Sequence, residues 1–165
     1  MKKFLDWLDK QNDAIFLAVL YLVRLPIIWP VGLVQEAIAK TFLSGTQPRW
    51  SPPSNPLAGF MALIIWAPLT ETVVECTIPY SIMRALDKIR SDRPWNFILI
   101  AGAVMAVGHI PIGIPAGFVT GMFLGYCYAH FAVRSQWVAF AYASLYHAAI
   151  NIVGWIMVYI VGVQL

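Results

Sequence analysis

The chain has 165 residues, of which 60% are hydrophobic and 12% are charged, whereas soluble domains average roughly 45–50% and about 25%. A soluble core in a chain this short cannot bury that excess, because much of the surface stays exposed. The composition predicts an all-α, polytopic transmembrane helical bundle. The net charge of +3 does not indicate nucleic-acid binding, because the basic residues lie in short segments between apolar runs.

The first segment, residues 1–13, predicts a short interfacial helix. Its sequence MKKFLDWLDKQND starts with two lysines but carries three aspartates, and no small-residue cleavage site follows the next apolar run. A cleaved signal peptide is therefore not expected. The apolar side chains of Phe4, Leu5, Trp7 and Leu8 are expected to face lipid headgroups. Residues 14–165 are expected to form one membrane-embedded domain.

The apolar runs that follow predict about five spans, since about 20 residues cross a hydrocarbon core of about 30 Å. The runs extend from Ala14 to Val34, Leu57 to Met83, Phe97 to Ile110, Ala116 to Val133 and Trp137 to Gly162. Pro26 and Pro30 in the first run predict a kink, or a break into a span and a surface piece. The proline-rich stretches QPRWSPPSNP and PIGIP predict a loop and a turn.

The lysines and arginines of the connecting segments predict the orientation. Eight fall on one side of the five spans (Lys2, Lys3, Lys10, Arg84, Lys88, Arg90, Arg93 and Arg134), and two fall on the other (Lys40 and Arg49). Basic loops remain in the cytoplasm. We therefore expect a multi-pass protein of the cell membrane with a cytoplasmic N-terminus and an external C-terminus.

Five polar residues in the apolar runs are candidates for function: Glu71, Glu75, His109, His147 and Asn151. An ionisable group at mid-membrane costs at least about 2.5 to 3.5 kcal/mol, so it is rarely retained without a role. Glu71 and Glu75 are four residues apart and share a helix face, and so do His147 and Asn151. In one site, a carboxylate and a histidine would take a proton from water while the other groups donate to an oxyanion.

Structural roles remain open for single members of this set. A histidine between helices can act only as a hydrogen-bond donor, and one glutamate could pair with Arg24. Counting from the predicted span ends places Glu71 and His109 nearer the outer face, and His147 with Asn151 nearer the cytoplasmic half. A single site requires one depth, which tilted or re-entrant helices could supply.

Three further features predict packing and no chemistry. His130 is expected at the interface, because it lies near Arg134 at a helix end. The cysteines, Cys76 and Cys127, fall in apolar runs and are expected to be inert packing residues. A glycine recurs every fourth residue (Gly113, Gly117, Gly121 and Gly125), which predicts a smooth helix face that a neighbouring helix approaches closely.

Together these residues resemble the CPBP family of intramembrane proteases, the CAAX-processing and bacteriocin-processing enzymes also called the Abi family. The resemblance extends from about Ala67 to Asn151. The segment APLTETVVEC matches Glu71 to the first glutamate of a proline-preceded EExxxR motif, MAVGH matches His109 to FxxxH, and HAAIN matches HxxxN with His147 and Asn151. The sequence departs from these motifs at three positions: Thr72 replaces the second glutamate, Cys76 replaces the arginine and Met105 replaces the phenylalanine. Glu75 lies one helical turn from the position of the missing glutamate.

The resemblance implies an endopeptidase that cleaves a peptide or membrane-protein substrate at or within the bilayer. Glu71 and His109 would activate water, and His147 and Asn151 would stabilise the oxyanion. No cofactor and no metal are expected, because asparagine is a poor zinc ligand and a good oxyanion donor, although one glutamate with two histidines could in principle hold zinc. Two alternatives remain open: an inactive binding or scaffold protein with this fold, and a proton-coupled transporter.

Overall fold

The computed structural model describes residues 1–42, 53–89, 94–110 and 113–161, and every regular element in these ranges is helical. The helices are α1 (Lys2–Leu8), α2 (Asp13–Phe42), α3 (Pro56–Ala85), α4 (Trp95–Gly108), α5 (Ile114–Ala132) and α6 (Gln136–Tyr159). The predicted all-α class is confirmed for the described residues. Most of the predicted loop from Gln47 to Pro56 and the first two residues of the PIGIP turn lie outside them.

Helices α2 to α6 run back and forth between two ends of the bundle. At one end, the Arg134 guanidinium binds both carboxylate oxygens of Asp13 at 2.6 and 2.8 Å, and Gln136 Nε2 donates to Ser81 Oγ at 3.3 Å. We call this the basic end, because six of the eight basic residues in the described ranges lie in the segments that meet there: Lys2, Lys3, Lys10, Arg84, Lys88 and Arg134. The other two, Arg24 and Lys40, lie at mid-length and near the distal end of α2.

The opposite, distal end is held by contacts between the start of α3 and the end of α6. The Tyr159 hydroxyl donates to Pro53 O at 2.6 Å, and Trp155 Nε1 donates to Pro56 O at 3.1 Å. Asn55 caps α3 by accepting a hydrogen bond from the Leu57 N–H at 2.9 Å, and Pro56 occupies the first helical position, where a missing N–H costs nothing.

Three described helices are long and apolar enough to cross a membrane: Asp13–Ile38 of α2, all of α3 and all of α6. Helix α4 has 14 residues, about 21 Å, which is shorter than the hydrocarbon core. Helix α5 has 19 residues, more than half of them buried, because it packs against α2, α4 and α6. Length and composition thus support three of the five predicted spans.

The break predicted in the first apolar run is absent, because α2 continues from Asp13 to Phe42 through Pro26 and Pro30. Each proline removes one backbone hydrogen bond. An apolar environment offers the neighbouring backbone groups no water as an alternative partner, so the helix persists on both sides of each proline.

The glycine-spaced face of α5 packs against α4, as predicted. A Cβ atom built on Gly121 would lie 2.7 Å from both Ala101 O and Met105 Cβ, and one built on Gly125 would lie 2.8 Å from Ala101 Cβ. Real Cβ atoms do not approach other atoms this closely. The two helix backbones can therefore meet only because these positions carry no side chain.

The remaining packing predictions concern the cysteines and the basic end. Both cysteines are free and buried. His130 lies in the last turn of α5 at the basic end and packs inside the bundle. Its ring stacks on Phe16 with centroids 3.8 Å apart, and its Nδ1 lies 3.2 Å from Asp9 Oδ1. In α1, Phe4 and Trp7 are exposed whereas Leu8 is buried, so this helix packs on the bundle with one face.

Candidate functional site

A cavity of about 600 Å³ lies between α2, α3, α6, the end of α4 and the first half of α5. Four of the five predicted site residues line it, namely Glu71, His109, His147 and Asn151. The fifth, Glu75, is only 3% exposed and lies behind Glu71 on the same helix. The structure therefore brings all five predicted residues to one region.

At the wall of this cavity, a contact between α6 and α3 joins His147 and Glu71. His147 Nε2 lies 3.4 Å from Glu71 Oε2, and the two side chains are 3% and 34% exposed. His147 Nδ1 is buried and has no hydrogen-bond partner among the described residues. Glu71 is thus the carboxylate that faces the cavity, and His147 is a buried partner at its side.

This contact removes the difference in depth that the sequence predicted. Glu71 lies at the middle of the 30-residue α3, roughly 21 Å from its end at Ala85. His147 lies roughly 16 Å from the start of α6 at Gln136. Both ends belong to the basic end of the bundle, so the two side chains sit near mid-length of their helices. No re-entrant segment is needed to bring them together.

His109 follows the last residue of α4 and has a defined orientation. Its Nδ1 lies 2.8 Å from Met105 O. A carbonyl oxygen only accepts hydrogen bonds, so Nδ1 carries the hydrogen and Nε2 of the neutral ring is left as an acceptor. The tight packing of α4 on α5 extends to this residue, because a Cβ atom on Gly117 would lie 3.3 Å from His109 Cβ.

Asn151 is held by a backbone carbonyl that a proline leaves free. The segment Met61–Trp66 of α3 is π-helical, and the Ala67 N–H donates to Ala62 O. In this pattern each N–H donates to the carbonyl five residues earlier, so residue 68 would donate to Leu63 O. That residue is Pro68, which has no N–H. Asn151 Nδ2 donates to Leu63 O at 2.9 Å instead. One amide hydrogen of Asn151 is thus engaged, and the other remains available.

A second π-helical segment, Val73–Thr77, surrounds Glu75 and also ends two residues before a proline, Pro79. Within the described residues, Glu71, Glu75 and His147 each offer a ligand atom, and these atoms lie within 4.8 Å of one another. Zinc bound by such ligands needs metal–ligand distances of about 2.0 to 2.2 Å. The three groups could hold a divalent ion after a small inward movement, so metal chemistry remains an alternative at this site.

Arg24 does not form the ion pair with a glutamate that is one alternative for it in the sequence. Its Nη2 donates to Thr120 Oγ1 at 3.0 Å, and no ion pair joins it to Glu71 or Glu75 in the described part of the chain. Both Arg24 and Thr120 line the cavity. In the sequence, Arg24 is indicated only as a possible partner for a glutamate, and no feature of the sequence indicates Thr120.

The described residues thus define a helical bundle with three helices able to cross a membrane and a glutamate–histidine pair at mid-length whose histidine is buried and whose glutamate is open to the cavity. Comparisons with known proteins found no matching protein family, no similar curated protein and no similar solved structure. The resemblance to the CPBP family therefore depends on the motif residues alone.

Proposed function

We propose that this chain is a multi-pass membrane protein that hydrolyses a peptide bond inside the bilayer. The observation that carries the proposal is the contact of 3.4 Å between Glu71 and His147 at the wall of a cavity near the middle of the helices. A carboxylate paired with an imidazole at this depth of a membrane bundle has a large desolvation cost. General acid–base catalysis is a function that requires such a pair. The motif order described for the CPBP family points to the same chemistry.

In the proposed reaction, a water molecule in the cavity loses a proton to Glu71, and its oxygen attacks the carbonyl carbon of the scissile bond. His109 assists through Nε2, the ring nitrogen that its bond to Met105 leaves as an acceptor. When the C–N bond breaks, the leaving amine takes the proton from Glu71. Proton and electron balance is thereby closed without a further reactant.

The oxyanion formed in this step needs hydrogen-bond donors, and α6 offers two. His147 directs Nε2 towards the carboxylate of Glu71 in the resting site. Once Glu71 is protonated it becomes a weaker acceptor, and the His147 N–H is free to turn to the oxyanion. Asn151 contributes the amide hydrogen that Leu63 O does not use. Glu75 lies behind Glu71, where its carboxyl group can share a proton with it.

The orientation belongs to the same proposal. Six of the eight basic residues in the described ranges lie at one end of the bundle, so this end, with the N-terminus, lies in the cytoplasm. The cavity extends from mid-length towards the distal end, where Gln35, Gly113 and Val158 also line it. A substrate would therefore reach the site from the outer half of the bilayer.

A cleavage assay tests the proposal. The purified chain in proteoliposomes is mixed with a library of single-span peptides, and new termini are identified by mass spectrometry. Glu71→Gln removes the proton acceptor at constant size and should lower cleavage at least about 100-fold. Glu36→Gln is the matched control, because Glu36 is exposed and outside the cavity. Equal cleavage by the wild-type and Glu71→Gln chains contradicts the assignment.

A chain that cuts no peptide would instead support the scaffold or the transporter alternative. The transporter predicts flux of protons across proteoliposomes when a pH gradient is applied, with loss of flux in Glu71→Gln. The scaffold predicts neither cleavage nor flux.

A further inference from the structure

The cavity contains a buried cation that the proposed peptidase chemistry does not use. Arg24 is 9% exposed and lines the cavity with Glu71 and His147. Its Nη2 is held by the Thr120 hydroxyl at 3.0 Å, whereas its Nε has no hydrogen-bond partner among the described residues. The guanidinium is therefore oriented by one neutral group and retains an unused donor.

A buried charge without a counter-ion is unfavourable, and a hydroxyl compensates it only in part. The guanidinium presents its donors in a planar fork whose geometry matches a carboxylate. A carboxylate that enters the cavity would thus supply both the missing charge and an acceptor for the guanidinium, which Thr120 engages at Nη2 only. The wall of the cavity is otherwise mainly apolar, which suits a hydrophobic peptide that carries one such group.

We infer that Arg24, oriented by Thr120, binds a carboxylate of the substrate peptide beside the Glu71–His147 pair. This inference rests on the proposed function, since it takes the ligand of the cavity to be a peptide. Arg24 would then be a specificity-determining residue that fixes how far the scissile bond lies from the anionic group.

The position of Arg24 along its helix favours a peptide carboxylate over a lipid phosphate. Arg24 lies roughly 16 Å from Asp13 at the basic end, which is about half the thickness of a hydrocarbon core. A headgroup phosphate remains at the membrane surface and would not reach this depth. A peptide in the cavity can bring either its C-terminal carboxylate or the side chain of an aspartate.

A peptide-binding assay distinguishes a C-terminal carboxylate from the side chain of an aspartate. The full-length Glu71→Gln chain is immobilised in detergent micelles, so that binding is measured without hydrolysis. It is offered pools of acetylated pentapeptides made of Ala, Val, Leu and Phe. One pool ends in a free carboxylate, one ends in an amide, and two amide pools carry a central Asp or a central Asn. Bound peptides are quantified by mass spectrometry.

The expected result is that at least one acidic pool is retained about tenfold more than its neutral counterpart, as for a hydrogen bond to a charged group. Arg24→Gln should abolish the preference. Arg84→Gln, which removes an exposed positive charge at the basic end, should keep it. If Arg24→Gln aggregates, Arg24→Lys is used in its place, because it keeps the charge and loses the planar fork, and it should reduce the preference.

Equal retention of acidic and neutral pools, whether high or absent, overturns the inference, and so does an undiminished preference in the Arg24 variants. The peptidase proposal fails separately. A carboxylate preference in a chain whose wild type cuts no peptide would leave Arg24 as a binding residue of a scaffold. Cleavage without such a preference would support the catalytic role of Glu71 and His147 and contradict the role of Arg24 in binding a carboxylate.

Discussion

His147 Nε2 lies 3.4 Å from Glu71 Oε2, although the two residues belong to helices α6 and α3, which are not consecutive in the sequence. The contact is buried on the histidine side and open to the cavity on the glutamate side. This asymmetry indicates that Glu71 meets the reactant and that His147 acts beside it. The two residues should therefore behave as one catalytic unit.

A double-mutant cycle measures whether they do. Glu71→Gln and His147→Ala should each lower kcat/KM at least about 100-fold, because each removes one half of a proton-transfer pair. The double variant should be no more than about threefold below the weaker single variant, since residues that act as a unit show strongly non-additive losses. Losses that multiply would show that the two groups act independently.

The metal alternative is tested by chelation. We expect a strong chelator to change kcat/KM by less than about twofold, because Asn151 is suited to an oxyanion and poorly suited to zinc. Glu75→Gln should then lower activity less than Glu71→Gln does, since Glu75 lies behind the cavity wall. Loss of activity on chelation, restored by zinc and accompanied by a lower metal content in Glu75→Gln, would show that Glu71, Glu75 and His147 hold a metal.

Much of this site can be predicted from the sequence, for a physical reason. A charged or amide side chain in an apolar run must find a partner, so Glu71, Glu75, His109, His147 and Asn151 are expected to meet. Which of these residues contact each other cannot be predicted in this way. The four-residue spacing shows only which residues share a helix face, and the contact between Glu71 and His147 depends on how α3 and α6 pack.

A third prediction about the site concerns Pro68. Pro68→Ala would restore an N–H that can bond to Leu63 O, and the carbonyl would then no longer be reserved for Asn151. We expect kcat to fall about tenfold or more, as for the loss of an oxyanion donor. Pro26→Ala is the control, because Pro26 also lies inside a helix but is exposed. In an Asn151→Ala chain, Pro68→Ala should have no further effect on kcat, and a further drop would place its action elsewhere.

Packing between α4 and α5 yields a prediction about stability. An alanine at Gly121 would bring its Cβ to 2.7 Å from Ala101 O, and the backbone cannot yield without moving α4. Overpacking of this kind costs about 1 to 3 kcal/mol, so Gly121→Ala should lower the midpoint of thermal unfolding in detergent. Activity should fall as well, because α4 carries His109. Gly32→Ala, with no atom near its Cβ, should leave both unchanged or slightly raise stability.

The contacts of Arg24 and of the π-helical segments could not be predicted from the sequence. A glutamate is one possible partner for Arg24 in the sequence, but in the fold Arg24 donates to the hydroxyl of Thr120, and this contact depends on how α2 and α5 pack. The two π-helical segments each precede a proline, Pro68 and Pro79. A proline predicts that a carbonyl is freed, and Asn151 is identified as the partner of Leu63 only by the structure.

The last prediction concerns orientation in the membrane. Native Cys76 and Cys127 are both 0% exposed, so a single introduced cysteine can be labelled against a silent background. Lys10→Cys lies at the basic end and Ile160→Cys at the distal end, and both positions are exposed. In intact cells a membrane-impermeant maleimide should label Ile160→Cys and leave Lys10→Cys unlabelled until the membrane is permeabilised, because basic ends remain in the cytoplasm. The reverse labelling pattern would mean that the protein has the opposite orientation and that substrates reach the cavity from the cytoplasmic half of the bilayer. Labelling of both positions from outside would mean that the bundle crosses the membrane an even number of times.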